Sequence, residues 1–186
     1  MLRKRLQDLD PIMAVTVVLV VAAIVALFLT LSAAPAGAAG GIASDGTSAK
    51  PGKAKLKKNG IAVPPANAPK RVVKAIEAAN EIHRKPYVWG GGHGSFKDNG
   101  YDCSGAVSYM LHGGRMLKSP LDSGSLAKWG RKGKGDWISV YANSGHVYAV
   151  VAGLRWDTSM TPGDGPGWSK EMRSSKGFAK RHYKNF

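Results

Sequence analysis

The sequence predicts an α+β fold in which N-terminal helices pack on an antiparallel β-sheet. Apolar residues recur at helical spacing from Lys70 to Arg84. From residue 136 onward, alternating and β-branched stretches are separated by turn signals instead. Helices followed by a run of strands are typical of the α+β class. The 186 residues allow one such domain together with additional segments.

Residues 1–34 are predicted to be a signal anchor or a signal peptide. Three basic residues among the first five precede an uncharged, almost wholly apolar run over residues 12–34. This run is closer to the roughly 20 residues of a membrane-spanning helix than to the roughly 7–15 of a secretory segment. Small-residue triplets at 34–36 and 36–38 are candidate cleavage sites. Both alternatives place the following chain outside the cytoplasm, either membrane-anchored with the N-terminus inside or secreted.

Residues 35–68 are predicted to be a disordered basic linker, because they are rich in Ala, Gly, Pro and Lys and lack apolar periodicity. The lysine-rich run Lys50–Lys58 is either a solvated tether or a contact with an anionic surface. Residues 69–186 then form the predicted folded domain.

The net charge of the chain is +15, and residues 71–186 contain 18 Lys/Arg against 9 Asp/Glu. An exported basic domain suits an anionic envelope surface, although general solubility would also explain the charge. Nucleic acid is not an expected partner, because the chain is predicted to be exported.

The first predicted helix spans Lys70–Arg84, begins near Pro69 with Asn67 near the cap position, and ends before Pro86. A glycine-dense loop over residues 87–100 follows, and its glycines are expected to permit tight turns and close approach of the backbone to substrate. This loop lacks the Gly-Lys-Ser/Thr ending of a phosphate-binding P-loop. A second helix is predicted after Asp102, ending at Gly113-Gly114, and a short capped one lies within residues 122–130.

A three-stranded antiparallel meander is predicted over residues 136–142, 146–152 and 154–159, with turns at 143–145 and at Ala152-Gly153. In the tail from Pro162, Trp168 and Phe178 are expected to dock on the domain.

Cys103 is the single cysteine, so an internal disulfide is excluded. An inert buried thiol, an intermolecular bridge and a nucleophile are the alternatives. If Asp102 caps the helix, Cys103 lies in its first turn, where free N–H groups and the helix dipole favour a thiolate. The small residues Ser104 and Gly105 leave room for a substrate.

A nucleophilic thiol needs a base, and the base needs an orienting partner. His146 is the best candidate base, because it begins a predicted strand after a glycine turn. A two-residue loop at Ala152-Gly153 would place Tyr148 opposite Asp157, with His146 on the same face as Asp157. Diagonal cross-strand neighbours lie about 7–8 Å apart, so Asp157 is expected to accept a bond from His146 Nδ1–H.

The other histidines are weaker candidates. His93 lies in the glycine loop and either lines the site or is an exposed loop residue, and His83 is predicted on a helix surface. No histidine pair has zinc-ligand spacing with Cys103, so neither a metal nor another cofactor is expected.

Three segments together resemble the NlpC/P60 cysteine peptidases, bacterial cell-wall endopeptidases with a papain-like core. They read "PYVWGGG", "YDCSGAVSYML" and "SGHVYAVVAGLRWDTS", and the resemblance covers about residues 70–160. It implies that residues 69–186 are a catalytic domain, either membrane-anchored or secreted to the cell wall. The implied reaction is hydrolysis of amide bonds in peptidoglycan stem peptides through a thioester. By position, the resemblance implies that Cys103 is the nucleophile, His146 the general base and Asp157 the residue that orients it. It also implies that Tyr87 helps to stabilise the oxyanion and that Asp102 and Ser104 line the substrate cleft.

The third catalytic residue departs from the family pattern, in which His, Asn or Gln is more usual than Asp157. Two alternatives therefore stay open. One is a non-catalytic wall-binding or scaffold protein on the same fold. The other is an envelope amidase or acyltransferase that uses the same Cys–His pair.

Overall fold

The computed structural model describes residues 50–160, 165–184 and 186. The predicted signal anchor or signal peptide at 1–34 lies outside these residues, as does the first part of the predicted linker. Within the described ranges, no helix is both long enough and apolar enough to cross a membrane.

The helices are α1 at Lys70–Ile82, α2 at Cys103–Gly113 and α3 at Ser123–Leu126. The inner face of α1 is fully buried through residues such as Val72 and Ile76, and α1 packs against α2. The predicted cap of α2 is confirmed, because Asp102 accepts the Gly105 N–H at 2.7 Å.

The expected cap of α1 is wrong. Pro69 is the N-cap residue, and no side chain caps this helix. Asn67 lies too early in the chain to reach the first turn, and its side-chain amide donates instead to the carbonyl of Lys50 at 3.1 Å.

The sheets confirm the α+β class. A small antiparallel pair consists of β1 at Lys55–Leu56 and β2 at Ala62–Val63. The main sheet is antiparallel and has the strand order β3-β8-β4-β5-β6-β7. Its strands are β3 at Arg131–Lys132, β4 at Ile138–Ala142, β5 at Val147–Val151, β6 at Leu154–Asp157, β7 at Gly167–Ser169 and β8 at Ala179–His182.

The predicted meander forms the centre of this sheet as β4, β5 and β6. Val151 pairs with Leu154 across the two-residue turn at Ala152-Gly153. Both turn residues have positive φ, 46° and 82°, as a tight hairpin of this hand requires. The register assumed from the sequence is therefore confirmed.

The tail adds a strand on each side of the meander, which the sequence analysis did not predict. β7 pairs with β6, and β8 pairs with β4. Trp168 in β7 is buried and donates its indole N–H to Asn80 Oδ1 at 2.9 Å. Phe178 contacts the Tyr148 ring edge-on, with centroids 5.3 Å apart, so both expected docking residues do contact the domain. Strands of three and four residues are too short to show clear alternation.

The prediction of a disordered linker is wrong for residues 50–68. The Ala54 N–H donates to Ala152 O at 2.8 Å, which joins this segment to the hairpin of the main sheet. The Asn80 side chain pairs with both backbone groups of Ala62, at 3.0 and 2.8 Å. Backbone hydrogen bonds and two small buried alanines hold the segment, and this mode of attachment needs no apolar periodicity in the sequence.

Candidate active site

Cys103 is the first residue of α2 and is partly exposed. The N-terminus of α2 is tied to β6, because the buried indole of Trp156 donates to the carbonyl of Ala106 at 3.2 Å. Trp156 directly precedes Asp157. A single tryptophan thus fixes the helix that carries the thiol relative to the strand that carries the carboxylate.

The glycine loop packs directly on the first turn of α2. The Asp102 N–H donates to Gly91 O at 3.2 Å, and the Gly90 N–H donates to Asp102 Oδ2 at 3.1 Å. A Cβ on Gly105 would overlap the Gly91 carbonyl oxygen. The close approach that these glycines permit is therefore between the loop and the helix, which revises the expectation of an approach to substrate.

Asp102 and Ser104, predicted to line the substrate cleft, are both buried, at 9% and 5% exposure. His93 Nε2 lies 3.1 Å from Asp102 Oδ1 and 3.0 Å from Ser104 Oγ. The Ser104 hydroxyl donates to the same Asp102 oxygen at 3.0 Å. His93 is thus not a free loop residue, because it contacts the residues on both sides of Cys103. It belongs to a polar cluster that holds the start of α2 against the loop.

His146 and Asp157 are brought together as the strand arithmetic predicted. His146 lies one residue before β5, and its backbone N–H donates to the Asn143 side chain at 2.9 Å. The bond to Asp157 Oδ1 is 2.9 Å long but comes from His146 Nε2, not from Nδ1 as expected. The Nδ1 atom is therefore the ring nitrogen that Asp157 does not engage.

The electrostatics of His146 favour the imidazolium form. Burial lowers its pKa, but hydrogen bonds to Asp157 and Cys103 and the negative charge of both groups outweigh burial and raise the pKa to about 9. Cys103 is thus one of the groups whose charge acts on the His146 ring.

Asp157 is fully buried at its side chain and accepts several hydrogen bonds. Its Oδ1 accepts from the Ser159 N–H and hydroxyl, each at 3.1 Å, and its Oδ2 accepts from Arg173 Nη1 at 3.1 Å. Arg155 Nε lies 3.5 Å from Oδ2. Burial raises the pKa of Asp157, but its hydrogen bonds and the neighbouring cations lower it to about 2. The carboxylate is therefore ionised at neutral pH.

Arg173 and Ser159 are site residues that the sequence analysis missed. Arg173 also bonds the Ser159 hydroxyl at 2.7 Å. Its guanidinium lies 5.3 Å from the centroid of the Tyr148 ring and 5.5 Å from that of Phe178. The sequence contains little indication that Arg173 belongs to the site, because Arg173 lies in the Lys/Ser-rich tail. Its partner Asp157 lies 16 residues earlier.

The backbone of Tyr87 forms a bridge with Tyr101, two residues before Cys103, and Tyr87 is 42% exposed. The pKa of Tyr87 is raised by burial and by the charges of Cys103 and Asp102. The next two residues extend this exposed surface, since Val88 is 45% and Trp89 87% exposed. Three consecutive exposed apolar residues therefore begin the glycine loop.

The described residues contain no cluster of three or more side chains suited to a metal. A cavity of about 320 Å³ lies away from Cys103, between α1 and α2. Two pairs of its polar groups are already formed, Lys74 with Glu77 at 2.6 Å and the Tyr109 hydroxyl with Glu81 at 2.8 Å.

No protein-family model and no curated protein matches the chain. Among solved structures, the peptidoglycan hydrolase RipB from Mycobacterium tuberculosis is 27% identical, with a TM-score of 0.49 over 64% of this chain and 68% of its own. A hypothetical invasion protein of Mycobacterium tuberculosis is 23% identical, with a TM-score of 0.46 over 60% and 62%. A variant of the Resuscitation Promoting Factor Interacting protein RipA is 22% identical, with a TM-score of 0.47 over 61% and 62%. These neighbours are NlpC/P60 proteins, the family that the sequence motifs resemble.

Proposed function

We propose that this chain is an extracytoplasmic cysteine peptidase that hydrolyses amide bonds in peptidoglycan stem peptides. One observation carries the proposal: His146, one residue before β5, is hydrogen-bonded at 2.9 Å to the buried Asp157 at the end of β6, and the charge of Cys103 at the start of α2 contributes to the raised pKa of His146. The substrate class comes from the motif resemblance, and the placement outside the cytoplasm comes from the sequence of residues 1–34. RipB is described as acting on the same kind of substrate.

In the acylation step, the Cys103 thiolate attacks the carbonyl carbon of the scissile amide, and a C–S bond forms. The raised pKa of His146 keeps its ring protonated at neutral pH, so Nδ1–H can give its proton to the leaving amine as the C–N bond breaks. The products of this step are a free amine, a neutral imidazole and a thioester on Cys103.

The oxyanion formed during attack needs hydrogen-bond donors that are already in place. As the first residue of α2, Cys103 has a backbone N–H without an intrahelical acceptor. The Tyr87 hydroxyl is the second candidate donor, since its raised pKa keeps it protonated beside the thiol.

In the deacylation step, neutral His146 takes a proton from water through Nδ1 while the water oxygen attacks the thioester carbonyl. The C–S bond breaks, and the thiolate and imidazolium pair is restored. Asp157 holds the ring through Nε2 in both steps, so Nδ1 remains directed to the reacting atoms.

Digestion of purified peptidoglycan, with mass spectrometry of the released peptides, tests the proposal. Cys103→Ser and His146→Gln are each expected to reduce the rate of peptide release by on the order of 10³-fold or more. The reason is that loss of one member of a cooperating catalytic group removes most of the activity of the whole group. His112→Gln is the matched control, since this exposed histidine of α2 lies outside the site, and it should retain activity. Undiminished release by Cys103→Ser would sink the peptidase proposal.

Digestion in water labelled with heavy oxygen separates the two alternative functions from hydrolysis. A hydrolase places the label in the new carboxyl group, whereas an acyltransferase delivers the acyl group to another acceptor without it. A non-catalytic wall-binding protein would bind peptidoglycan and release nothing at any pH.

A further inference from the structure

One edge of the main sheet carries a dense group of cations that the proposed chemistry does not use. Six exposed basic side chains lie on β3, on β8 and in the segments beside these strands, and we call this group the basic edge: Lys128, Arg131, Lys132, Lys134, Lys180 and Lys184. None of the six forms a salt bridge with an acid in the described ranges.

The basic edge lies away from the catalytic groups. β3 pairs with the C-terminal half of β8, where Lys132 faces Arg181. The N-terminal end of β8 pairs instead with Ala142, at the end of the sheet where His146 lies. A ligand bound along the basic edge would therefore leave Cys103 accessible.

The arrangement of these charges is unfavourable for the fold by itself. Lys132 and Arg181 are directly opposite on neighbouring strands, and like charges in this position are destabilising. Asp136 is the one acid near this segment in sequence, and no acid follows Glu171 in the chain. Lysines on an edge strand do discourage edge-to-edge pairing. That role requires charge on β3 alone, whereas four of the six cations lie outside it.

The side chains around the cations restrict the chemistry of a partner. The exposed large apolar residues of the described chain are Tyr87, Val88, Trp89 and Met172, and none belongs to the basic edge. Surfaces that bind membranes add inserted apolar side chains to their cations. Surfaces that bind single-stranded nucleic acid add exposed aromatic rings that stack on bases. Trp129, the aromatic residue within this segment, is partly buried and stacks on Tyr183, with ring centroids 6.2 Å apart.

We infer that the basic edge binds an extended phosphodiester polymer that has neither nucleobases nor acyl chains. Residues 128–134 span at most about 20 Å when extended, so cations along this stretch can contact several phosphates of one strand. This surface gives the chain a second means of contact with an anionic envelope, separate from the catalytic site and from residues 1–34.

Fluorescence anisotropy with labelled poly(glycerol phosphate) tests this inference on the full chain in nonionic detergent. The strip variant replaces Lys128, Arg131, Lys132 and Lys134 with Gln. Its matched control replaces Lys53, Lys55, Lys57 and Lys58, which are equally exposed, so both variants lose four charges. We expect the strip variant to bind on the order of 100-fold more weakly at low salt, and the control variant to change by less than about threefold. The slope of log affinity against log salt concentration should decrease in magnitude by about three in the strip variant and not in the control variant.

Equal weakening in the two variants would overturn the inference, because binding would then follow net charge rather than one surface. The inference would also be overturned if the native chain bound a DNA duplex, or micelles containing phosphatidylglycerol, more tightly than the polymer and the strip variant lost that binding. Hydrolysis of a soluble stem peptide should be unchanged in the strip variant. Failure of this inference and failure of the peptidase proposal are therefore separate results.

Discussion

Removal of the Arg173 side chain should weaken both the fold and the site through Asp157. In the native chain the Asp157 carboxylate is entirely buried, and Arg173 Nη1 lies 3.1 Å from its Oδ2. His146 Nε2 binds the other oxygen, Oδ1, at 2.9 Å, and Arg155 Nε is more distant from Oδ2 at 3.5 Å. Arg173→Ala therefore leaves Oδ2 of a buried carboxylate without its closest cationic donor.

The expected cost follows from the exposure of this pair. A hydrogen bond to a charged group contributes about 1.5–3 kcal/mol. The Arg173 side chain is 32% exposed, so water partly replaces it, and the low end of that range applies. A loss of about 1.5 kcal/mol lowers the folding equilibrium constant roughly tenfold.

A second readout separates positioning from simple stability. Arg173 is a cation beside the Asp157–His146 pair, so its removal favours the imidazolium and should raise the pKa of His146 further above about 9. The charged and titratable groups around this pair are Cys103, Tyr148, Arg155 and Arg173. Since the proposed acylation uses the imidazolium, the alkaline limb of kcat/KM should move to higher pH by about half a unit in Arg173→Ala.

Urea unfolding at neutral pH measures the first effect, and peptide hydrolysis across pH 6–11 measures the second. Arg173→Lys keeps the charge and should restore the position of the alkaline limb. Lys176→Ala removes an exposed cation from the same segment and should change neither property. A lowered stability with an unmoved pH profile in Arg173→Ala would refute the positioning role and leave Arg173 purely structural.

Three further outcomes follow from the site. Asp157→Asn should reduce kcat by one to two orders of magnitude, because the orienting charge is lost while the side-chain volume stays, and steady-state hydrolysis measures it. The Asp157 carboxyl has a folded-state pKa of about 2, below its ordinary value. Its stabilisation is therefore present above about pH 4 and lost as pH falls towards 2, by about 2 kcal/mol in acid unfolding curves, and Asp157→Asn should flatten this loss. Gly105→Ala should cost about 1–3 kcal/mol and slow catalysis, since the new methyl group meets the Gly91 carbonyl. Gly94→Ala, with open space around it, should be neutral in thermal unfolding.

The pairing of His146 with Asp157 shows how far local rules extend. A two-residue turn at Ala152-Gly153 fixes the register of β5 and β6, and the register alone places the two side chains on one face. The cap at Asp102 is equally local, because its carboxylate reaches an N–H three residues later. Both features could be predicted because each depends on residues close in sequence.

Other features of the site depend on contacts between distant segments. Arg173 reaches Asp157 only because the tail returns to the sheet as β7 and β8. Residues 50–68 join the domain through the side chain of Asn80. The choice of Nε2 over Nδ1 at His146 also depends on how the ring packs, which strand periodicity does not encode.

The sequence by itself determined the fold class, the capped thiol and the register that joins the base to its carboxylate. Caps, turns and alternation are set by steric and hydrogen-bonding rules within a few residues. Only the tertiary structure decided that Arg173 neutralises Asp157, that His93 supports α2, and that six cations gather on one sheet edge. Such contacts arise from the packing of segments far apart in the chain, and no local pattern records them.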